Sequence, residues 1–152
     1  MSAVQILVDA DACPVKEEVY RVAFRREVAV KVVSNMALRV PGHPLIERVV
    51  VSGAFDAADD WIVERAHAQT VVITGDILLA DRCLKAGAMV IGPTGKPFTP
   101  SSIGGAIATR AIMADLRAGA GVTGGPAPFA KADRSRFLQA LDAALERLAR
   151  GG

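Results

Sequence analysis

Two aspartates stand two residues apart at the end of the first apolar run, in Val4-Gln5-Ile6-Leu7-Val8-Asp9-Ala10-Asp11-Ala12-Cys13-Pro14. On an extended strand residues i and i+2 point to the same face, so both carboxylates can converge on one cation. Two like charges held that close repel, and a metal ion, a proton or an arginine must keep them together. Further acids occur at Asp76, in Val72-Ile73-Thr74-Gly75-Asp76, and at Asp56, Asp59 and Asp60. Asp56 with Asp59 or Asp60 is spaced i, i+3 or i, i+4, which is one face of a helical turn. An all-carboxylate cluster suits Mg²⁺ or Mn²⁺, hard cations that keep several waters and bridge to phosphates. It does not suit zinc, since no Cys/His quartet has the spacing.

The elements that position these acids alternate in type. Residues 4–9 read as a strand, 14–26 as a helix with proline in its first turn, and 28–33 as a valine-rich strand. A loop over 34–44 leads to a strand at 46–51 and a helix at 56–68 that opens with acids. A strand at 70–74, a helix at 75–86 ended by Gly87 and a strand at 88–91 complete five strands, followed by a loop over 92–100. Strands that read as continuous apolar runs are buried on both faces, so the pattern predicts an α/β fold with a mostly parallel sheet and helices on both sides. In such sheets the ligand crevice lies beyond the carboxyl ends of the strands, where strand order reverses, and Asp9, Asp11 and Asp76 fall at strand ends.

The last third is a helix over 101–117 rich in small residues, a glycine and proline loop over 119–130, and a terminal helix over 133–150. In that helix Phe137, Leu138, Leu141, Leu145 and Leu148 form one stripe that should pack on the rest of the fold, while arginines and acids take the other side. Residues 1–152 are expected to form one domain.

Structural roles compete with the chemical ones. An aspartate near a helix N-terminus is the ordinary cap and dipole partner, which accounts for Asp56, Asp59 and Asp76 without any function. Capping after the first strand needs only one of Asp9 and Asp11. Asp81 falls about 140° round the helix from Asp76 and reads as a surface acid, and Glu17 and Glu18 suit their helix dipole. Lys16, Asn35, Lys96 and Arg110, with Arg39, are the candidates for phosphate contacts. Gly119-Ala120-Gly121-Val122-Thr123-Gly124 satisfies G-x-G-x-x-G, but no strand precedes it and a proline follows, so it is a decoy or a flap. Cys13 sits near a helix N-terminus, yet two adjacent aspartates oppose its thiolate and no histidine is near in sequence. Trp61 and Phe55 flank the acidic helix start, with Trp61 expected in the core.

Composition bounds the answer. The chain has 152 residues, 51% apolar and 22% charged, with net charge +2, which suits a globular core and argues against a polyanion-coating protein. Two distant cysteines and no basic-then-apolar leader point to a reduced cytoplasm, and no apolar stretch approaches the roughly 20 residues of a membrane span. Monomer and homodimer are both open.

Asp9-Ala10-Asp11-Ala12-Cys13-Pro14-Val15-Lys16, the Asp59-Asp60-Trp61-Ile62 helix start, Thr74-Gly75-Asp76-Ile77-Leu78-Leu79-Ala80, and Gly125-Pro126-Ala127-Pro128-Phe129 followed by Asp133-Arg134 resemble the YaiI/YqxD family of bacterial proteins over nearly the whole length. That family is in turn similar to PIN and NYN nuclease domains, whose strand-end aspartate and later Thr/Ser-x-Asp motif bind divalent metal for phosphodiester hydrolysis. The resemblance implies a three-layer PIN-like domain with Asp9 as the first metal-binding acid, Asp59 or Asp60 as the middle acid and Asp76 as the acid of the Thr-x-Asp motif. Asp11 goes beyond that pattern, and no further acid stands at the end of a later strand.

The leading expectation is a Mg²⁺- or Mn²⁺-dependent nuclease, acting on RNA rather than DNA. Asp9, Asp11, Asp59, Asp60 and Asp76 would hold metal, with Asp9, Asp11 and Asp76 catalytic. One alternative is a nuclease-like module that binds nucleic acid or protein without cleaving. Another is a phosphatase with Asp9 as nucleophile, because apolar-Asp-x-Asp is also the haloacid dehalogenase motif; the order of the remaining motifs argues against it.

Overall fold

The computed structural model describes residues 4–54, 56–120 and 130–151. Its strands are β1 (Gln5–Asp9), β2 (Ala29–Ser34), β3 (Ile46–Val50), β4 (Thr70–Ile73), β5 (Met89–Ile91) and β6 (Pro97–Phe98). The helices are α1 (Lys16–Arg26), α2 (Ala57–Arg65), α3 (Ile77–Lys85), α4 (Ile103–Ala120) and α5 (Lys131–Gly151). The sheet order is β3-β2-β1-β4-β5-β6, parallel throughout except for the antiparallel β5–β6 pair. The chain therefore winds outward from β1 to β3, returns to β4 on the other side of β1, and winds outward again. That reversal leaves a crevice at the carboxyl ends of β1 and β4.

Alternate residues of each inner strand feed two cores. Ile6 and Val8 of β1 pack with Val19 and Val22 of α1 and with Phe137, Leu141 and Leu145 of α5. Leu7 faces the other way, among Val33, Val72, Ile62 of α2, Leu79 and Cys83 of α3 and Ile103 of α4. Both faces of the inner strands are thus covered, which is why those strands read as unbroken apolar runs. β3 lies at an edge, and Glu47, Arg48 and Val50 are accordingly exposed, with Val49 half-buried.

Three differences from the sequence expectation have local causes. The expected loop over 92–100 contains β6, a two-residue strand too short to carry a periodic signal. A turn closed by Gly92 N–H to Lys96 O at 2.9 Å and Gly95 N–H to Gly92 O at 3.0 Å feeds it. Helix α1 starts at Lys16, because Val15 is fully buried in a non-helical conformation (φ −113°, ψ 30°), with a 3-10 turn over Ala10–Ala12 ahead of it. Helix α4 runs through Gly119 and Ala120, which were expected in the loop. The rest of that loop, 121–129, with the remainder of the G-x-G-x-x-G run, lies outside the described residues, as does Phe55.

Helix α5 is fastened as well as packed. Asp142 accepts from Arg25 and Arg26 at 2.7 Å each, Glu146 accepts from Arg26 at 2.9 Å, and buried Glu18 pairs with Arg134 at 2.9 Å. Among the described residues no helix is long and apolar enough to cross a membrane.

Candidate functional site

The reversal point of the sheet carries a cleft of about 500 Å³ whose lining includes Asp9, Asp11, Asp56, Asp59 and Asp76. Asp9 ends β1, one position beyond the Val8–Ile73 pair, and Thr74 directly follows β4. The Thr74 hydroxyl donates to Asp9 Oδ2 at 2.8 Å and accepts the Asp76 N–H at 2.9 Å. Among the described residues no buried side-chain oxygen lacks a hydrogen bond, so Asp9 Oδ1, which accepts none, faces the cleft that Asp9 lines.

Asp76 starts α3. Its Oδ1 accepts from Leu78 N–H at 2.9 Å and Leu79 N–H at 3.3 Å, satisfying two of the helix's otherwise orphaned donors. One oxygen of Asp76 thus caps the helix while the residue also lines the cleft. Asp11 sits on the 3-10 turn after β1, where Ser34 at the end of β2 donates to its Oδ1 at 3.0 Å and itself accepts Met36 N–H at 3.0 Å.

Electrostatics mark two of these acids. Burial is the main cause that raises Asp9 above the ordinary carboxylate range; the Thr74 hydrogen bond opposes it, and Asp76 and Asp11 add repulsion. Asp59 is pushed up to about 6 by burial first, then by Asp76, Asp9 and Asp56, with Arg82 pulling the other way. A cluster that resists ionisation in this manner is a candidate for function, because its repulsion lowers stability. Among the described residues, no three His, Cys, Asp or Glu side chains stand close enough to share one metal ion directly.

The remaining candidates divide. Asn35 and Arg110 line the cleft. Asp60 does not, being turned outward into an ion pair with Arg82 at 2.9 Å. Lys16 is not available for phosphate, because its Nζ donates to Cys13 O at 2.9 Å and Ala10 O at 3.3 Å, tying the 3-10 turn to the start of α1. Lys96 stands in the β5–β6 turn outside the cleft lining, and Arg39 also stays outside it. Trp61 is only half-buried, with the Arg65 guanidinium 3.9 Å and the Lys31 amine 5.8 Å from its ring centroid. Cys13 is buried and its thiol is pushed up to about 11, which removes it as a nucleophile near neutral pH.

The sequence reading missed Arg82 and Ser34. Arg82 follows Leu78 and Leu79 at i+4 and i+3 on α3, so the helical period that brings those leucines to the cleft brings Arg82 as well. Ser34 is a hydroxyl at a strand's carboxyl end, the same kind of position that marks Asp9.

Sheet order, cleft and acids together define a doubly wound α/β protein with an acidic site at its reversal point. The chain belongs to the family described as "Uncharacterized BCR, YaiI/YqxD family", which matches residues 7–147. It is 75% identical over 152 residues to a UPF0178 protein of Sphingopyxis alaskensis, covering 99% of each chain. It is 58% identical over 150 residues to a UPF0178 protein of Nitrobacter winogradskyi, covering 99% of this chain and 96% of the relative. No solved structure matches the chain significantly.

Proposed function

We propose that the chain is a divalent-metal-dependent nuclease acting on RNA. The observation that carries this reading is the convergence of five carboxylates on the reversal-point cleft, with Asp9 and Asp59 both held toward the protonated form. The donor set is wholly oxygen, which fits Mg²⁺ or Mn²⁺. Because no three acids approach one point among the described residues, the fit is to a hydrated ion taking one or two carboxylates and several waters. One or two of Asp9, Asp59 and Asp76 would hold it directly, with the remaining acids of the cleft, Asp11 among them, reaching it through its waters. Such an ion supplies a lowered water pKa and charge neutralisation at phosphate.

The chain's own residues would do the rest. Thr74 fixes which Asp9 oxygen faces the cleft, and α3 fixes Asp76. Arg110 lines the acidic cleft as a cation open to a phosphodiester, Arg82 lines it while paired with Asp60, and Asn35 offers an uncharged donor there. RNA is the substrate class that the resemblance to PIN and NYN domains implies.

The test is cleavage of single-stranded RNA in Mn²⁺. Cleavage should stop with chelator and in Asp59→Asn, a variant that removes a repelling charge and should stay folded. Cleavage that persists in both would end the proposal. A binding-only module is the second reading, favoured by the absence of a direct three-acid site among the described residues and of a further acid at the carboxyl end of β5. It predicts RNA affinity unchanged by chelator. A phosphatase with Asp9 as nucleophile has less support, since one Asp9 oxygen is engaged by Thr74 and burial disfavours the ionised form.

A further inference from the structure

A second cleft, of about 710 Å³, lies between α5 and the β5–β6 edge and shares no lining residue with the carboxylate cleft. Its wall on α5 has a simple origin. Ala140, Ala143, Ala144 and Arg147 are spaced i, i+3, i+4 and i+7, so they form one stripe about 10 Å long. The neighbouring stripe of Phe137, Leu141 and Leu145 fills the core, whereas the three methyl groups leave space against Phe98 and Leu148. The result is an apolar trough with a guanidinium at one end, within the size range of small-molecule sites.

The charge at that end is distinctive within the helix. On α5, Arg134 pairs with Glu18 at 2.9 Å, Arg136 with Asp133, and Arg150 with Glu146 at 2.9 Å. Asp142 and Glu146 are further engaged by Arg25 and Arg26 of α1. Arg147 has no carboxylate within ion-pair distance among the described residues. An elongated apolar surface that ends in an uncompensated guanidinium is complementary to a chain-like molecule that ends in a carboxylate.

We infer that this trough binds a free single-chain amphiphilic carboxylate, its alkyl part along the alanine stripe and its carboxylate on Arg147. The inference stands apart from the nuclease reading, because the two clefts have no residue in common.

Calorimetric titration with decanoate, kept below its aggregation concentration, tests it. One saturable site is expected. Uncharged decanol and the Arg147→Gln variant should each bind about tenfold more weakly, the loss of one charge-assisted contact. Ala143→Trp, at an exposed helix position where the fold can accept it, should abolish binding while circular dichroism stays unchanged. Absence of saturable binding by the parent overturns the inference, as does binding that neither variant alters or equal affinity for decanol. So does a dimer, seen by light scattering, that Ala143→Trp dissolves, since the trough would then belong to a second copy. Sedimentation with anionic vesicles without uptake of free decanoate would likewise assign it to a lipid surface and overturn it.

Discussion

Thr74 and Asp9, 65 residues apart in the chain, share a hydrogen bond of 2.8 Å at the junction of β1 and β4. The threonine hydroxyl has one proton and commits it to Asp9, while its lone pair takes the Asp76 N–H. Thr74→Val keeps the side-chain shape and deletes both bonds, leaving a buried carboxylate without its donor. Urea titration should register a loss of about 2–3 kcal/mol, with Thr74→Ser within about 1 kcal/mol of the parent. Equal stability of the valine and serine variants would show that the hydroxyl plays no part.

Asp59 sets a pH dependence of definite sign. Its carboxyl rises from an ordinary 3.8 to about 6 in the folded chain, so folding takes up a proton there. The favourable contribution is complete below about 3.8 and is lost as pH climbs through about 6. Asp59→Asn removes the slope. Thermal midpoints of variant and parent, measured without divalent metal, should nearly coincide at about pH 4 and favour the variant at about pH 7. A variant less stable at neutral pH would contradict the electrostatic picture of the cleft.

Asp142 works in the opposite direction. Hydrogen bonds from Arg26 and then Arg25 hold its carboxyl down at about 2, from an ordinary 3.8. Its contribution is present above about 3.8 and disappears as pH falls through about 2. Arg25 and Asp142 side chains are 59% and 37% exposed, so solvent screens the pair strongly. Asp142→Asn should therefore lower the plateau slightly and remove this residue's part of the acid-side slope, so that urea midpoints of variant and parent converge as pH falls to about 2, and about 1 M salt should shrink their difference at neutral pH.

Gly95 is constrained by both conformation and contact. Its φ is +88°, and a Cβ placed there would come within 2.6 Å of the Arg136 backbone in α5. Gly95→Ala is expected to cost about 3 kcal/mol or more, combining left-handed strain with displacement of a helix backbone that has no rotamer to give. Differential scanning calorimetry on Gly95→Ala and on Gly42→Ala, where nothing lies within 4 Å, separates the combined strain and contact from the generic effect of replacing glycine.

Much of this fold is legible in the sequence because burial on both faces writes itself as unbroken apolar runs. Those runs place β1, β2, β4 and β5, and with them the strand-end positions of Asp9, Asp11 and Asp76. What the runs cannot convey is where a long side chain goes once the backbone is set. Lys16 has the right place for a phosphate and turns back to the carbonyls of Ala10 and Cys13. Asp59 and Asp60 are indistinguishable by type, and a rotation of about 100° per residue sends one into the cleft and the other to Arg82. β6 escapes because two residues have no period. Ser34 escapes because a hydroxyl carries no charge to draw attention, and Thr74, though legible in the Thr-x-Asp motif, gives no sign in the sequence that its hydroxyl donates to Asp9.

Asp76 serves two masters with its two oxygens. The one committed to Leu78 and Leu79 belongs to the helix, and that commitment aims the other. Winding the first turn of α3 and presenting this acid are therefore a single event. A solvent, a temperature or a distant substitution that frays α3 at its start would disarm the cleft well before the molecule as a whole came apart.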